Sequence, residues 1–247
     1  MRFFNRNNYF ALPDGPINQP ICECHDYGGT LSLYDTLFGK DIDTIPELID
    51  MTILSKEELA PGIMLYKFPK ESAHILKGLI QNAMFKQWKL AEVHGKSGPE
   101  VNYDARNVSN YFFTGVEANC HPHDPIRRVY DSLEAGIKNI VLDFRGRYNI
   151  TELDSAHWVL LRYEINNQFH YHIDDAQQYP RVISSSIFLN DDFEGGELEF
   201  KEFGLKIKPE AGSIVLFCSA FPYMHKVHPI TRGVRYAVVK WYCFKQM

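Results

Sequence analysis

The second half of the chain consists of short runs rich in β-branched and aromatic residues, separated by turn residues and beginning after position 157. Eight such runs follow one another, a pattern typical of a jelly roll or related antiparallel barrel. The runs are Trp158–Tyr163, Gln168–Ile173, Val182–Leu189, Gly196–Phe200, Leu205–Ile207, Ser213–Cys218, Met224–His228 and Arg235–Phe244. We therefore expect a mainly β protein with flanking helices (α+β), whose barrel occupies mainly residues 158–244.

Two amphipathic helices are predicted before the barrel. Residues 69–85 and 124–144 carry apolar residues at helical spacing, and Asp124 followed by Pro125 is a typical helix start. Residues 62–68 read as a strand between two prolines. Each helix has one apolar stripe and a polar back, so we expect both to lie against a sheet and buttress the barrel.

The N-terminal part of the chain shows weaker patterns. Residues 31–38 and 45–51 are short helical candidates, and Ser55–Glu58 resembles a capping box at a helix start. We expect residues 1–60 to be an extension that packs on the barrel helices or forms a lip over the site, and residues 61–247 to form one domain.

Composition narrows the class of protein. The 247 residues are 45% hydrophobic and 23% charged, which suits a globular chain with a good core. The net charge of −5 gives no basic field, so we expect no nucleic-acid partner. We also expect no signal peptide and no membrane span. Five irregularly spaced cysteines favour a reducing compartment, so the predicted location is cytoplasmic.

A candidate metal site lies within the barrel runs. In an extended strand His172 and Asp174 project to one face, while Ile173 points away into apolar packing. Together with His225 they complete two histidines and one carboxylate, an arrangement suited to Fe(II). A buried His–Asp hydrogen bond would explain only two of the three. A cupin-like pair of His170 and His172 lacks a glutamate at the required interval, so His170 is assigned to the site wall.

The order of motifs resembles the catalytic domain of the prolyl 4-hydroxylase-like Fe(II)/2-oxoglutarate oxygenases. The motifs are Arg162-Tyr163, His172-Ile173-Asp174, Gly195-Gly196-Glu197-Leu198-Glu199-Phe200, Lys208-Pro209, Gly212-Ser213, His225, Arg235 and Trp241. The resemblance covers roughly residues 60–243 and is strongest from Leu160 onward. It implies a double-stranded β-helix core and a requirement for Fe(II), 2-oxoglutarate and O2, with ascorbate in a supporting role.

The resemblance also implies roles for individual residues. His172, Asp174 and His225 would be the metal ligands at the catalytic centre. Arg235 would anchor the distal carboxylate of 2-oxoglutarate, because a guanidinium fork matches a carboxylate. The hydroxyl of Tyr163 would donate a hydrogen bond to the same cosubstrate.

Further positions depart from the family or extend its pattern. Phe188 stands where some prolyl hydroxylases have a tyrosine that contacts 2-oxoglutarate, and Ser186 on the same strand face is a substitute hydroxyl. Trp241 shares a strand face with Arg235 by alternation and is assigned to the pocket wall. Asn166 replaces a glycine of the family pattern and tolerates a left-handed turn.

The leading functional hypothesis is hydroxylation of a prolyl residue in a peptide or protein. The same chemistry on a small molecule, a free amino acid or another side chain is the alternative within the class. A non-catalytic barrel that serves as a binding module, with residues 1–60 as its interface, is the alternative from another class. Residues 94–124 are a candidate substrate lid, and the resemblance places an arginine segment at residues 104–109 before the barrel. The sequence leaves the oligomeric state open.

Overall fold

The computed structural model describes residues 47–84, 88–95, 98–102, 105–120, 122–175 and 180–245. The helices are α1 (Lys70–Met84), α2 (Val116–Asn119) and α3 (Pro125–Tyr148), with a 3₁₀ turn at Lys201–Phe203. The first strands are β1 (Ser55–Ala60), β2 (Ile63–Lys67), β3 (Lys89–Leu90), β4 (Val93–Gly95), β5 (Gly98–Glu100), β6 (Arg106–Asn107), β7 (Ser109–Phe112), β8 (Leu153–Ser155) and β9 (Val159–Tyr163). The later strands are β10 (Gln168–His172), β11 (Ile183–Phe188), β12 (Glu194–Gly195), β13 (Leu198–Phe200), β14 (Leu205–Ile207), β15 (Ser213–Cys218), β16 (His225–Val227), β17 (Ile230–Arg232) and β18 (Arg235–Phe244).

Two antiparallel sheets form the barrel. Within the described residues, the larger sheet has nine strands in the order β1-β2-β15-β11-β18-β9-β7-β3, with β8 added beside β18. The smaller sheet has five strands in the order β14-β13-β16-β10-β6. Strands β12 and β17 pair separately, as do β4 and β5. Each predicted barrel run contains one of the observed strands, and the predicted mainly β jelly roll with flanking helices is confirmed.

The inner faces of the two sheets enclose one apolar layer. Leu198, Phe200 and Val227 of the smaller sheet are buried together with Val215 and Phe217 of the larger sheet. Facing side chains from two sheets exclude water from the space between them, and the hydrophobic effect holds the sheets together. The polar site residues project into this same layer.

The helices cover the outer face of the larger sheet. Leu76 of α1 and Leu133 of α3 are fully buried in one cluster with Leu160 and Val238, which point outward from their strands. Both predicted helices are therefore confirmed, including their position against a sheet.

Helix α3 begins as predicted and continues further than expected. The Asp124 side chain accepts a hydrogen bond from the backbone N–H of Ile126 at 2.8 Å, with Pro125 in the first turn. The helix runs to Tyr148 and ends where Asn149 adopts a left-handed conformation with φ of 51°. The apolar stripe stops at Phe144, so hydrophobic spacing alone placed the end one turn too early.

The predicted helix start at Ser55–Glu58 is wrong, because these residues belong to strand β1. Pro61 and Gly62 form the turn that joins β1 to β2, and the Cα of Ala60 pairs with that of Ile63. Gly62 has a φ of +73°, which suits a Pro-Gly turn. The hairpin directs β1 alongside β2 and overrides the local capping signal.

Residues before β1 pack against helix α3. Ile49 and Met51 are buried, and the backbone N–H of Ile49 donates to the Ser132 hydroxyl at 3.0 Å. Asp50 accepts a hydrogen bond from the backbone N–H of Thr52, an Asx turn that competes with helix formation. The helix expected at residues 45–51 is wrong for its described part, residues 47–51. The candidate at residues 31–38 lies outside the described residues, and the division at residue 60 stays a prediction.

The fold also bears on the turn at Asn166, on the cysteines and on the length of the helices. Asn166 adopts the left-handed conformation, with a φ of 67°, as predicted for the turn between β9 and β10. Cys218 and Cys243 are free thiols. No helix in the described part of the chain has both the length and the apolar character needed to cross a membrane.

Candidate metal and cosubstrate site

The two predicted histidine ligands face each other across neighbouring strands. His172 ends β10 and His225 begins β16, and their Cα atoms are partners in the antiparallel register. Their ring centroids lie 4.2 Å apart. Strand pairing thus brings together two histidines that are far apart in sequence.

Asp174 follows β10 directly and completes the cluster. Its backbone N–H donates to the Ser219 carbonyl at 3.0 Å, which holds the residue beside the end of β15. One carboxylate oxygen lies 3.6 Å from His172 Nε2 and the other lies 3.8 Å from His225 Nε2. The three candidate ligand atoms all lie within 4.8 Å of one another. Ligand atoms of one octahedral ion are typically about 3 Å apart, so the three atoms would approach one another by up to about 2 Å to share a divalent cation.

Backbone acceptors orient both imidazoles toward Asp174. His172 Nδ1 lies 2.7 Å from the His170 carbonyl, and His225 Nδ1 lies 3.1 Å from the Tyr223 carbonyl. A carbonyl oxygen only accepts, so each Nδ1 carries the proton and each Nε2 keeps its lone pair for a metal. Metal-bound histidines commonly have this second contact.

The charge states also suit a metal site. Burial, together with the neighbouring His172, lowers the pKa of His225 to about 4, so this imidazole is neutral at pH 7. Burial alone would raise the pKa of Asp174, but His225 and His172 shift it the other way, and the net pKa lies below its usual range. The cluster therefore offers a neutral imidazole at His225 and an ionised carboxylate at Asp174.

The predicted alternation around the site is wrong at two positions. A register shift between Phe169 and His172 interrupts the pairing of β10 with β16, so the faces do not alternate regularly along β10. His170 is exposed, and it contributes its backbone carbonyl to the site rather than a side chain on the wall. Ile173, expected in apolar packing, is 38% exposed, because it follows the last residue of the strand.

Aromatic side chains surround the histidines. The Phe169 ring stacks on His172, with centroids 3.6 Å apart and planes inclined by 18°. The Phe217 ring meets His225 edge-on at 4.8 Å. These rings restrict the imidazoles and exclude water from one side of the cluster.

Arg235 is buried with much of its hydrogen-bonding capacity unused. The residue is 1% exposed and begins β18 on the inner face of the larger sheet. Its Nε and Nη1 atoms are buried without an acceptor among the described residues. Its guanidinium carbon lies 5.0 Å from the centre of the Tyr163 ring and 5.1 Å from that of Phe188. Burial lowers the pKa of Arg235, with Tyr163 and Glu197 acting in the opposite direction. An unpaired buried guanidinium calls for an anionic ligand.

The other predicted pocket residues lie on the same inner side. Tyr163 is buried in the inner layer, and burial raises the pKa of its hydroxyl, which therefore stays protonated. Trp241 is half-buried against that layer, on the strand face shared with Arg235. Ser186 is buried on β11, two residues before Phe188. Their roles toward a cosubstrate stay predictions.

Sequence reasoning missed two contacts to Asp174. The Ser184 hydroxyl helps to lower the pKa of the Asp174 carboxyl through a hydrogen bond, and it also lies 2.8 Å from the Ser219 hydroxyl. The Arg181 guanidinium donates to the Asp174 backbone carbonyl at 3.2 Å and stacks over Trp241 at 4.0 Å. Alternation along β11 would have found Ser184, which lies two residues before Ser186 and shares its strand face.

Comparison with known families adds to this geometry. Residues 158–243 match the model of the 2OG-Fe(II) oxygenase superfamily. The resemblance predicted from the motifs is confirmed there. A match to this superfamily model implies Fe(II), 2-oxoglutarate and O2 as metal, cosubstrate and oxidant. The clustered triad fits the metal, and the Arg235 Nε and Nη1 atoms, which lack an acceptor among the described residues, fit a dicarboxylate.

Curated relatives match part of the chain. A PKHD-type hydroxylase of Pseudomonas fluorescens is 41% identical over 91 residues, which cover 32% of this chain and 39% of the relative. Prolyl 3-hydroxylase 2 of Rattus norvegicus is 42% identical over 67 residues, covering 25% of this chain and 10% of the relative. The chain thus spans 39% or less of the length of these two relatives.

Solved structures of prolyl hydroxylases share the fold. A Trichoplax adhaerens prolyl hydroxylase in complex with a hypoxia inducible factor peptide aligns with a TM-score of 0.59 at 18% identity, covering 74% of this chain and 83% of its own. A Pseudomonas putida prolyl-4-hydroxylase aligns with a TM-score of 0.57 at 17% identity, covering 74% and 93%. The viral collagen prolyl hydroxylase of Paramecium Bursaria Chlorella virus-1 gives 0.55 at 19%, covering 73% and 95%.

Proposed function

We propose that this chain is an Fe(II)- and 2-oxoglutarate-dependent dioxygenase that hydroxylates a prolyl residue in a peptide or protein. The observation that carries the proposal is the convergence of His172, Asp174 and His225 on the barrel side where Arg235 is buried, with its Nε and Nη1 lacking an acceptor among the described residues. The prolyl substrate is supported by the names of the similar hydroxylases. The expected cytoplasmic location and the supporting role of ascorbate stay predictions.

In this proposal His172, Asp174 and His225 hold Fe(II) through Nε2, a carboxylate oxygen and Nε2. Bound iron and 2-oxoglutarate together supply the oxidation, in which one oxygen atom of O2 enters a substrate C–H bond and the cosubstrate leaves as succinate and carbon dioxide. The backbone carbonyls of His170 and Tyr223 keep both imidazoles oriented throughout.

The remaining pocket residues position the cosubstrate. The Arg235 guanidinium binds the distal carboxylate of 2-oxoglutarate through the N–H groups that lack an acceptor. Tyr163, beside Arg235, donates a hydrogen bond from its hydroxyl to the same ligand, and Ser186 supplies a second hydroxyl. Trp241 forms a wall of the pocket and limits access of water.

The test is turnover of proline-containing peptides with Fe(II), 2-oxoglutarate and ascorbate. We expect succinate to form in step with a peptide mass gain of one oxygen atom, and fragmentation to locate that atom on proline. His172→Ala should reduce the rate at least about 100-fold. His170→Ala is the matched control, because this exposed histidine lies two residues earlier on the same strand and should keep the wild-type rate. Turnover of small molecules with none of any peptide would contradict the prolyl substrate and leave the chemistry intact.

A further inference from the structure

A second guanidinium lies beside the candidate metal ligands. Arg106 is in strand β6, and its Cα pairs with that of Phe169 in β10. Its guanidinium carbon lies 4.7 Å from the centre of the Phe169 ring, and that ring stacks on His172 at 3.6 Å. A cation, a phenyl ring and a metal-binding imidazole are therefore layered at one side of the site.

Arg106 is incompletely satisfied by the protein. Its Nε is buried without an acceptor among the described residues, and its Nη1 makes a long contact of 3.4 Å to the Glu92 carbonyl. Six buried side-chain nitrogen and oxygen atoms in the described part of the chain lack a partner, and three of them belong to Arg106 and Arg235. Burial lowers the pKa of Arg106, while Tyr163 and Asp174 act to raise it. A buried N–H group without an acceptor is costly unless a ligand supplies one.

Among the described residues, no carboxylate is assigned to the Arg106 cation as a counter-ion. Asp174 is a candidate metal ligand, and under the proposed function Arg235 pairs with the distal carboxylate of 2-oxoglutarate. Arg181 contributes another positive charge near Asp174, to whose backbone carbonyl it donates a hydrogen bond. An incoming group beside Arg106 would therefore meet a positive potential.

We propose that the substrate carries a carboxylate, and that Arg106 binds it beside the metal triad. This inference rests on the proposed function and specifies its substrate class. The guanidinium edge that contains Nε matches two carboxylate oxygens, whereas a single peptide carbonyl would use only one donor. The carboxylate could belong to a free amino acid, to a C-terminal residue, or to an Asp or Glu next to the reacting residue.

The experiment measures binding of defined probes to the full chain loaded with Mn(II) and 2-oxoglutarate under argon. The acid probes are free L-proline, the tripeptide Gly-Ala-Pro with a free C-terminus, and acetyl-Gly-Pro-Glu-amide. Each has a neutral counterpart: prolinamide, Gly-Ala-Pro-amide and acetyl-Gly-Pro-Gln-amide. At least one acid probe should bind about ten- to a hundredfold more tightly than its neutral counterpart, and which pair shows the difference identifies the source of the carboxylate.

Variants connect this preference to Arg106. Arg106→Gln should lose the preference, so that acid and neutral probes bind alike, and Arg106→Lys should keep only part of it because it lacks the fork. Arg162→Gln is the matched control: Arg162 also has a buried Nε without an acceptor, but it pairs with Glu164. This control should retain the full preference.

The outcomes separate the two proposals. Equal binding of acid and neutral probes to the wild-type protein, binding of none of them, or an unchanged preference in Arg106→Gln overturns the assignment of Arg106. Failure of the wild-type protein to convert 2-oxoglutarate to succinate with Fe(II), in the presence or absence of any probe, contradicts the proposed function instead.

Discussion

At the scale of single residues, the buried charge of Arg235 opposes the stability of the ligand-free protein. Its Nε and Nη1 have no acceptor in the described residues, and its neighbours include the Tyr163 and Phe188 rings. Taking a guanidinium from water into such surroundings is unfavourable, and the rings compensate only in part. A ligand carboxylate would supply the missing acceptors. We therefore expect Arg235 to lower the stability of the ligand-free protein and to raise its affinity for the ligand.

Replacing Arg235 should separate these two effects. Arg235→Met keeps much of the side-chain volume and removes the charge, so we expect the ligand-free protein to become more stable by about 1 to 3 kcal/mol. The same variant should lose at least about 30-fold in affinity for 2-oxoglutarate. Urea unfolding measures the first effect and calorimetric titration with Mn(II) present measures the second. Arg235→Lys, which keeps a charge without the fork, should not gain stability. A variant with unchanged 2-oxoglutarate affinity would refute the anchor role.

Ser184 offers a second prediction at this scale. Its hydroxyl helps to lower the pKa of the Asp174 carboxyl and lies 2.8 Å from the Ser219 hydroxyl, so we expect it to restrain the orientation of the candidate ligand. Ser184→Ala should weaken Mn(II) binding about tenfold, as measured by the free-ion signal in electron paramagnetic resonance. Ser185→Ala is the control, because Ser185 donates instead to the Lys240 backbone carbonyl, and it should bind Mn(II) as the wild type does. Equal affinities in the two variants would exclude a positioning role.

At the scale of elements, sequence patterns were sufficient to predict the strands and helices whose packing repeats regularly. The apolar stripes of α1 and α3 each follow from one buried helix face, and β11 and most of β18 are buried on both faces, between the inner layer and the helices. The register shift in β10 leaves no such pattern in the sequence, so the predicted side-chain environments of His170 and Ile173 were wrong. The neighbourhood of Arg106 depends on the pairing of β6 with β10, and sequence spacing carries no information about that contact.

The hairpin of β1 and β2 and the helix α1 each give a prediction for one glycine. Gly62 has a φ of +73°, and a Cβ there would lie 2.2 Å from the Tyr223 hydroxyl oxygen. Gly62→Ala should therefore lower the free energy of unfolding by about 1 to 2 kcal/mol. Gly78 lies within α1 with open space around it, so Gly78→Ala should raise stability by about 0.5 to 1 kcal/mol. Urea unfolding of both variants is the measurement. A loss of stability in both would contradict the prediction that a methyl group fits at Gly78.

At the scale of the whole molecule, the candidate metal site connects parts of the barrel that are distant in sequence. His172 and His225 lie in two neighbouring strands of the smaller sheet, and Asp174 is tied by its backbone to Ser219 after β15 of the larger sheet. A cation held by all three would therefore stabilise the packing of one sheet on the other. Binding only to the folded state raises stability by about 2.7 kcal/mol at a ligand concentration 100 times the Kd.

Thermal unfolding should reveal this linkage between ligands and fold. For a chain of this size we expect Mn(II) at 100 times its Kd to raise the Tm by about 5 to 10 °C, with reversal by EDTA. Added 2-oxoglutarate should raise the Tm further only when Mn(II) is present, because a ligand that binds metal and Arg235 together couples the two sites. Asp174→Ala should abolish the Mn(II) shift, whereas His170→Ala should retain it. A full Mn(II) shift in Asp174→Ala would mean that the cation binds elsewhere, and the triad would then have to be interpreted as a buried hydrogen-bonded cluster.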